Sequence, residues 1–199
     1  MMKIGIIGGA FNPIHYGHLF AAEEARALFG LEKVYFVPAG VPVWEKEEPV
    51  LAKELRYLMV VLATCENPHF YPSRVEIDRP GRSYTVDTLE QFKKEQPSSE
   101  LFFITGLDAL LNFFQWREPQ KILKMAELIA VSRPGFSLSR GSRESLDKRI
   151  HLLDTSGVAI SSQEIRERIR KNLPIRYLVP PQVEALIMKE NLYREEVSK

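Results

Sequence analysis

Apolar residues fall into two kinds of run along this chain. Short blocks that are apolar at nearly every position, residues 3–7, 33–37, 101–105, 128–132 and 150–153, read as strands buried on both faces. Residues 69–78 hold shorter strand-like pieces broken by Pro72. Between the blocks, apolar positions recur at helical spacing. Residues 19–29 form such a pattern and stop at Gly30, and residues 51–66 place Leu55, Leu58, Met59, Leu62 and Ala63 on one face. A helix opens near residues 83–88, with Thr85 or Ser83 as its cap, and runs to about Glu95. Further helices are expected over residues 109–114, after Pro119, from Ser161, and from Pro180-Pro181, the last with Val183, Leu186, Ile187 and Met188 inward. Residues 136–148 are Ser- and Arg-rich and are expected to be mobile.

Strands alternating with helices predict βαβ units, and so an α/β fold on a mostly parallel sheet. Ligands of such sheets bind outside the carboxyl ends of the strands. The residues with chemical potential in this chain follow strands: 8–18, 38–48, 106–108, 132–133 and 161–166. They are expected to share one crevice.

The most informative stretch is Gly8-Gly9-Ala10-Phe11-Asn12-Pro13-Ile14-His15-Tyr16-Gly17-His18. A strand, a glycine turn and a helix start point backbone N–H groups and a positive dipole end at an anion. Gly8 and Gly9 let backbone approach a phosphate, and His15 and His18 add imidazole donors. The run is neither G-x-G-x-x-G nor a Walker loop, since no G-K-[ST] follows. His69, His151 and Cys65 are scattered without ligand spacing, so no protein metal site is expected. Near the other end, Ser161 and Ser162 sit at a helix start with Arg166 one turn on. They read either as a cap and a solvated charge, or as hydroxyls and a planar cation facing phosphate oxygens.

Composition narrows the partners. The 199 residues suit one domain, with residues 161–199 as a C-terminal helical part. A net charge of +1 gives no case for nucleic acid or a membrane surface, so positive charge for a phosphate ligand must be local. The single cysteine excludes an internal disulfide and fits a reducing compartment. No apolar run approaches the roughly 20 residues of a membrane span, and the N-terminus enters its glycine turn too early for a signal peptide. A cytoplasmic location is expected, and a homo-oligomer is left open.

The run Gly8 to His18 resembles the H-x-G-H signature of a nucleotidyltransferase superfamily of adenylyl- and cytidylyltransferases. The run Ile160-Ser161-Ser162-Gln163-Glu164-Ile165-Arg166 is similar to its second signature, I-S-S-T-x-I-R, with Gln163 where threonine is commoner. Within the superfamily, Arg79-Pro80-Gly81-Arg82-Ser83-Tyr84-Thr85-Val86-Asp87-Thr88 resembles a segment of the nicotinate-nucleotide adenylyltransferases. So do Gly106-Leu107-Asp108 followed by Trp116-Arg117, and the proline-rich loop after the second strand. The resemblance implies a Rossmann-like, doubly wound parallel sheet with flanking helices, and adenylyl transfer from ATP to nicotinate mononucleotide. It implies His18 as the main catalytic contact to the α-phosphate with His15 beside it. ATP contacts would come from Gly8, Gly9, Ala10, Phe11, His15, His18, Gly106, Asp108, Ser132, Arg133, Ser161, Ser162 and Arg166. Mononucleotide contacts would come from Phe11, Asn12, Lys46, Tyr84, Thr85, Trp116 and Arg117, with Mg²⁺ arriving on the triphosphate.

Some readings stay double. Trp116 is a stacking platform for a pyridinium or a cover for the core. Asp108 accepts from ribose hydroxyls or caps a helix. The family's P-P-H-K loop is here Pro42-Val43-Trp44-Glu45-Lys46, which leaves Lys46, or Arg56 from the next helix, to meet the substrate phosphate. Rival acceptors are nicotinamide mononucleotide and phosphopantetheine. A cytidylyltransferase and a non-catalytic nucleotide sensor are the remaining alternatives.

Overall fold

The computed structural model describes residues 1–43, 50–132, 146–155 and 159–194. Residues 44–49, 133–145, 156–158 and 195–199 lie outside that description. The order of elements is β1 (Lys3–Gly9), α1 (Tyr16–Phe29), β2 (Lys33–Pro38), α2 (Lys53–Thr64), β3 (Phe70–Pro72), α3 (Thr85–Glu95), β4 (Glu100–Gly106), α4 (Leu107–Leu110), a single 3-10 turn (Phe113–Gln115), α5 (Pro119–Met125), β5 (Ala126–Val131), β6 (Ile150–Leu153), α6 (Ser162–Arg170) and α7 (Pro181–Lys189).

The strands form one sheet in the order β3-β2-β1-β4-β5-β6, every neighbouring pair parallel. Strand order reverses between β1 and β4, which opens a crevice at their carboxyl ends. Both faces of the sheet are covered. Ile4 and Ile6 of β1, with Leu101 and Phe103 of β4, join the core beneath α3 and α5. Ile7, Phe102 and Ile104 join the core on the α1, α2, α6 and α7 side. The period-two split of otherwise continuous apolar runs follows from a pleated strand buried on both sides.

Four local expectations are corrected. Tyr84, not Ser83 or Thr85, occupies the N-cap position of α3, and no side chain caps it; the Ser83 hydroxyl instead accepts from the Gly40 N–H. On α2 the buried side chains are Arg56, Met59, Val60 and Thr64, while Leu58 is 41% exposed. An arginine has taken a core position because three backbone carbonyls wait for it there. On α7 Val183 and Ile187 are buried, but Met188 is 38% exposed, since only a narrow stripe faces α2. The helix expected over residues 109–114 is one turn, Leu107–Leu110, followed by the 3-10 turn.

Candidate active site

The loop after β1 is held from below. Phe11 adopts φ 47°, a left-handed conformation uncommon for a non-glycine residue, and its ring is buried, edge-on to His18 at 5.0 Å. Asn12 is buried too, its Oδ1 accepting from Tyr193 Oη at 3.0 Å and from the Leu51 N–H at 3.3 Å. Burial pushes the Tyr193 phenol above its ordinary range, so it stays a donor. The Asn12 side-chain oxygen thus ties the loop to Leu51, ahead of α2, and to Tyr193, beyond α7.

His15 is the N-cap of α1 and His18 its third helical residue, the spacing of a capping box. The His15 N–H donates to His18 Nδ1 at 3.3 Å. A ring accepting at Nδ1 carries its proton on Nε2, the nitrogen on the far side of the imidazole. The two rings stack at 3.6 Å and 25°, with His15 buried beneath a partly exposed His18. Gly17 leaves room for the His15 ring, since a Cβ there would lie 3.0 Å from His15 Nδ1 and would press the imidazole aside by a few tenths of an ångström. At the helix start the Tyr16 N–H is already taken by the Leu178 carbonyl at 3.0 Å.

The second signature docks onto the first. Ser162 Oγ donates to the Pro13 carbonyl at 2.8 Å, and Arg166 Nη1 to the Asn12 carbonyl at 2.9 Å. Ser161 caps α6 by accepting from the Glu164 N–H. Segments about 150 residues apart thus form one unit at the head of α1.

A cavity of about 500 Å³ opens at the carboxyl ends of β1 and β4. It brings together Gly8, Gly9 and Ala10 of the glycine loop, Tyr84 and Thr85 ahead of and at the start of α3, and Trp116-Arg117. Trp116 is braced edge-on by Phe103 at 5.9 Å and by Phe113 at 5.5 Å. The Arg117 guanidinium lies over the Tyr84 ring at 4.7 Å and pairs with Asp87 at 3.5 Å, tying the tryptophan segment to α3. Asp108 is exposed in the first turn of α4, where Gly106 is the cap residue, so Asp108 is not the cap. It lines a shallow concavity with Gln115 and Trp116. Ser132 is buried at the end of β5, its N–H on the Leu153 carbonyl and its Oγ accepting from the Thr155 N–H. Lys46 and Arg133 lie outside the described residues.

Arg56 does not face the cavity as a phosphate contact. It is 1% exposed and donates to the carbonyls of Leu51, Ala10 and Gly40 at 2.8, 2.8 and 3.1 Å. Burial draws its pKa down from the usual guanidinium range. Sequence reasoning also passed over Glu76, a buried carboxylate on the cavity wall. Its only signal was a lone acid between Val75 and Ile77. Phe103 and Thr105 of β4, with Ala109 and Gln115 beyond it, also line the wall and carried no signal of their own in the sequence. Among the described residues no three His, Cys, Asp or Glu side chains converge as a metal-ligand set.

Comparison with known proteins agrees with this geometry. A family model described as cytidylyltransferase-like matches residues 6–168. A protein of Moorella thermoacetica described as a probable nicotinate-nucleotide adenylyltransferase is 49% identical, across 96% of this chain and 92% of its own. One of Thermoanaerobacter with the same description is 44% identical, across 98% and 96%. The solved structure of the Plasmodium falciparum nicotinic acid mononucleotide adenylyltransferase complexed with NaAD shares the fold, with a TM-score of 0.82 over 97% of this chain and 98% of that one at 21% identity. Signatures, sheet order and relatives converge, and the chain belongs to the cytidylyltransferase-like family and, within it, to the nicotinate-nucleotide adenylyltransferases.

Proposed function

We propose that this protein transfers the adenylyl group of ATP to nicotinate mononucleotide, giving nicotinate adenine dinucleotide and pyrophosphate in NAD biosynthesis. One observation carries the reading: a single cavity at the β1/β4 crevice joins the glycine loop to Tyr84, Thr85 and Trp116. The glycine loop is fitted to phosphate, and a braced indole is fitted to a flat cationic ring.

The acceptor needs little activation. A mononucleotide phosphate is already anionic at neutral pH, and one of its oxygens attacks the α-phosphorus of ATP in line. The bond from the α-phosphorus to the bridging oxygen breaks, and that oxygen leaves with pyrophosphate. Catalysis is then positioning and stabilisation of charge. His18 Nε2–H donates to an α-phosphoryl oxygen as charge grows there, with Nδ1 locked by the His15 N–H. Gly8 and Gly9 admit the phosphates to the backbone, and Ser161, Ser162 and Arg166 border them from α6. The Tyr84-Thr85 segment meets the pyridine carboxylate. A divalent cation, Mg²⁺ in this reading, would arrive with the triphosphate, held mainly by phosphate oxygens and water, and would offset part of its charge. No helix among the described residues is long and apolar enough to cross a membrane, and we place the reaction in the cytoplasm.

The assay compares nicotinate and nicotinamide mononucleotides with ATP and Mg²⁺, following pyrophosphate. The acid should be preferred about a hundredfold in kcat/KM, roughly 2.7 kcal/mol of discrimination. Comparable rates would mean an enzyme of dual specificity. Replacing Trp116 by alanine should raise KM for the mononucleotide by about tenfold, within the range of a lost cation–π contact and its stacking area. KM for ATP should stay near wild type; equal losses on both substrates would argue against a stacking role.

A further inference from the structure

The loop between β1 and α1 is tied at successive residues by distant parts of the chain. The Ala10 carbonyl accepts from Arg56 at 2.8 Å, the Asn12 carbonyl from Arg166 at 2.9 Å, and the Pro13 carbonyl from Ser162 at 2.8 Å. Among them Phe11 holds a left-handed backbone, φ 47°, with its ring buried. A non-glycine residue keeps such a conformation only where its surroundings over-determine it. The Asn12 side chain adds a further tie, its Oδ1 accepting from Tyr193 Oη at 3.0 Å and from the Leu51 N–H at 3.3 Å.

Tyr193 lies beyond α7. That helix ends at Lys189, and the chain leaves it through Asn191 and Tyr193, both left-handed at φ 49° and 63°. The Leu192 N–H donates to the Ile187 carbonyl at 3.0 Å, and Leu192 and Tyr193 pack on the core that holds Val183 and Ile187. A left-handed tyrosine is uncommon. At the end of this turn its phenol reaches a buried acceptor 181 residues back in the sequence. Burial outweighs the pull of Arg166 and Arg56 on the phenol, so it keeps its proton to donate. Two donors on Oδ1 settle which way the Asn12 amide faces. The next residue toward β1 is Phe11, whose ring meets the His18 imidazole edge-on at 5.0 Å. Contacts thus run from Tyr193 through Asn12 and Phe11 to His18.

We propose that Tyr193 is a positioning residue for His18: its hydroxyl fixes the Asn12 side chain, and with it the Phe11 ring against which the imidazole is set. The role rests on His18 donating to the α-phosphoryl oxygen in adenylyl transfer. Tyr193 does not line the cavity, so its effect falls on turnover rather than on substrate binding. The Leu51 N–H stays on Asn12 Oδ1 when the hydroxyl is removed, so the loop loosens without leaving that oxygen unsatisfied.

Tyr193→Phe keeps the ring and its packing and removes only the donor. It is tested in the full-length enzyme, alone and combined with His18→Ala, with wild type alongside and well below the unfolding transition. Alone it should lower kcat about tenfold, equivalent to about 1.4 kcal/mol, with KM for ATP and for nicotinate mononucleotide near wild type. Added to His18→Ala it should lower kcat no further, because a residue acting through another loses its effect once that one is gone. A tyrosine that merely stabilises the fold would lower Tm and leave kcat in place. An unmoved kcat, a rise in KM alone, or an equal loss of kcat in both backgrounds would overturn the role. Wild type without adenylyl transfer, or His18→Ala keeping its kcat, would overturn the catalytic reading and this role together. The expected loss in His18→Ala with none in Tyr193→Phe would overturn this role only.

Discussion

Replacing His18 by alanine is expected to lower kcat by about 10²–10³ while the protein stays folded. This is the usual cost of removing one preorganised donor from a site of developing charge. The donor here is preorganised in a checkable sense: its Nδ1 is fixed by a backbone N–H and its ring is stacked on His15 and met edge-on by Phe11. No reorientation is then needed when charge appears on the α-phosphoryl oxygens. The structural cost should be small, because His18 is partly exposed and gives up one capping interaction, about 1 kcal/mol. Steady-state kinetics beside thermal unfolding separates the two effects. A variant that keeps most of its kcat would remove His18 from the mechanism.

Replacing Arg56 by methionine should have the largest effect on stability, about 3–5 kcal/mol. Methionine preserves much of the aliphatic stem but none of the donors, so the carbonyls of Ala10, Gly40 and Leu51 lose the partner they share. Each buried acceptor left unsatisfied costs about 1–3 kcal/mol, reduced where water or a loop shift gives partial relief. Denaturant midpoints at constant slope would measure it. A loss below about 1 kcal/mol would mean that Arg56 does not hold these loops together. The charge persists despite burial because a guanidinium does not give up its proton in a protein.

These two predictions differ in how visible their residues were. His18 could be found by reading along the chain, because its partners His15 and Gly17 are neighbours in sequence and the helix start is local. Arg56 could not. The spacing of apolar residues on α2 offered a face containing Leu58, and nothing nearby announces that carbonyls of residues 10 and 40 will arrive at position 56. Glu76 was hidden for the same reason, as its hydrogen-bond partner Thr88 belongs to another element. Trp116 was legible as a residue, but the phenylalanines that brace it were not.

By itself the sequence determined the alternation of strands and helices, the parallel α/β class, the glycine turn ahead of α1, and the two signatures that mark a nucleotidyltransferase. All of these depend on periodicity or on residues a few positions apart, so local stereochemistry suffices to express them. Only the tertiary structure decided that α6 donates to the carbonyls of Asn12 and Pro13, that Asn12 turns inward toward Tyr193, and that Arg56 and Glu76 are buried at the base of the cavity walls. A buried charge is tolerable only where distant donors or acceptors meet it, and which of them meet is fixed by the packing of the whole sheet and its helices.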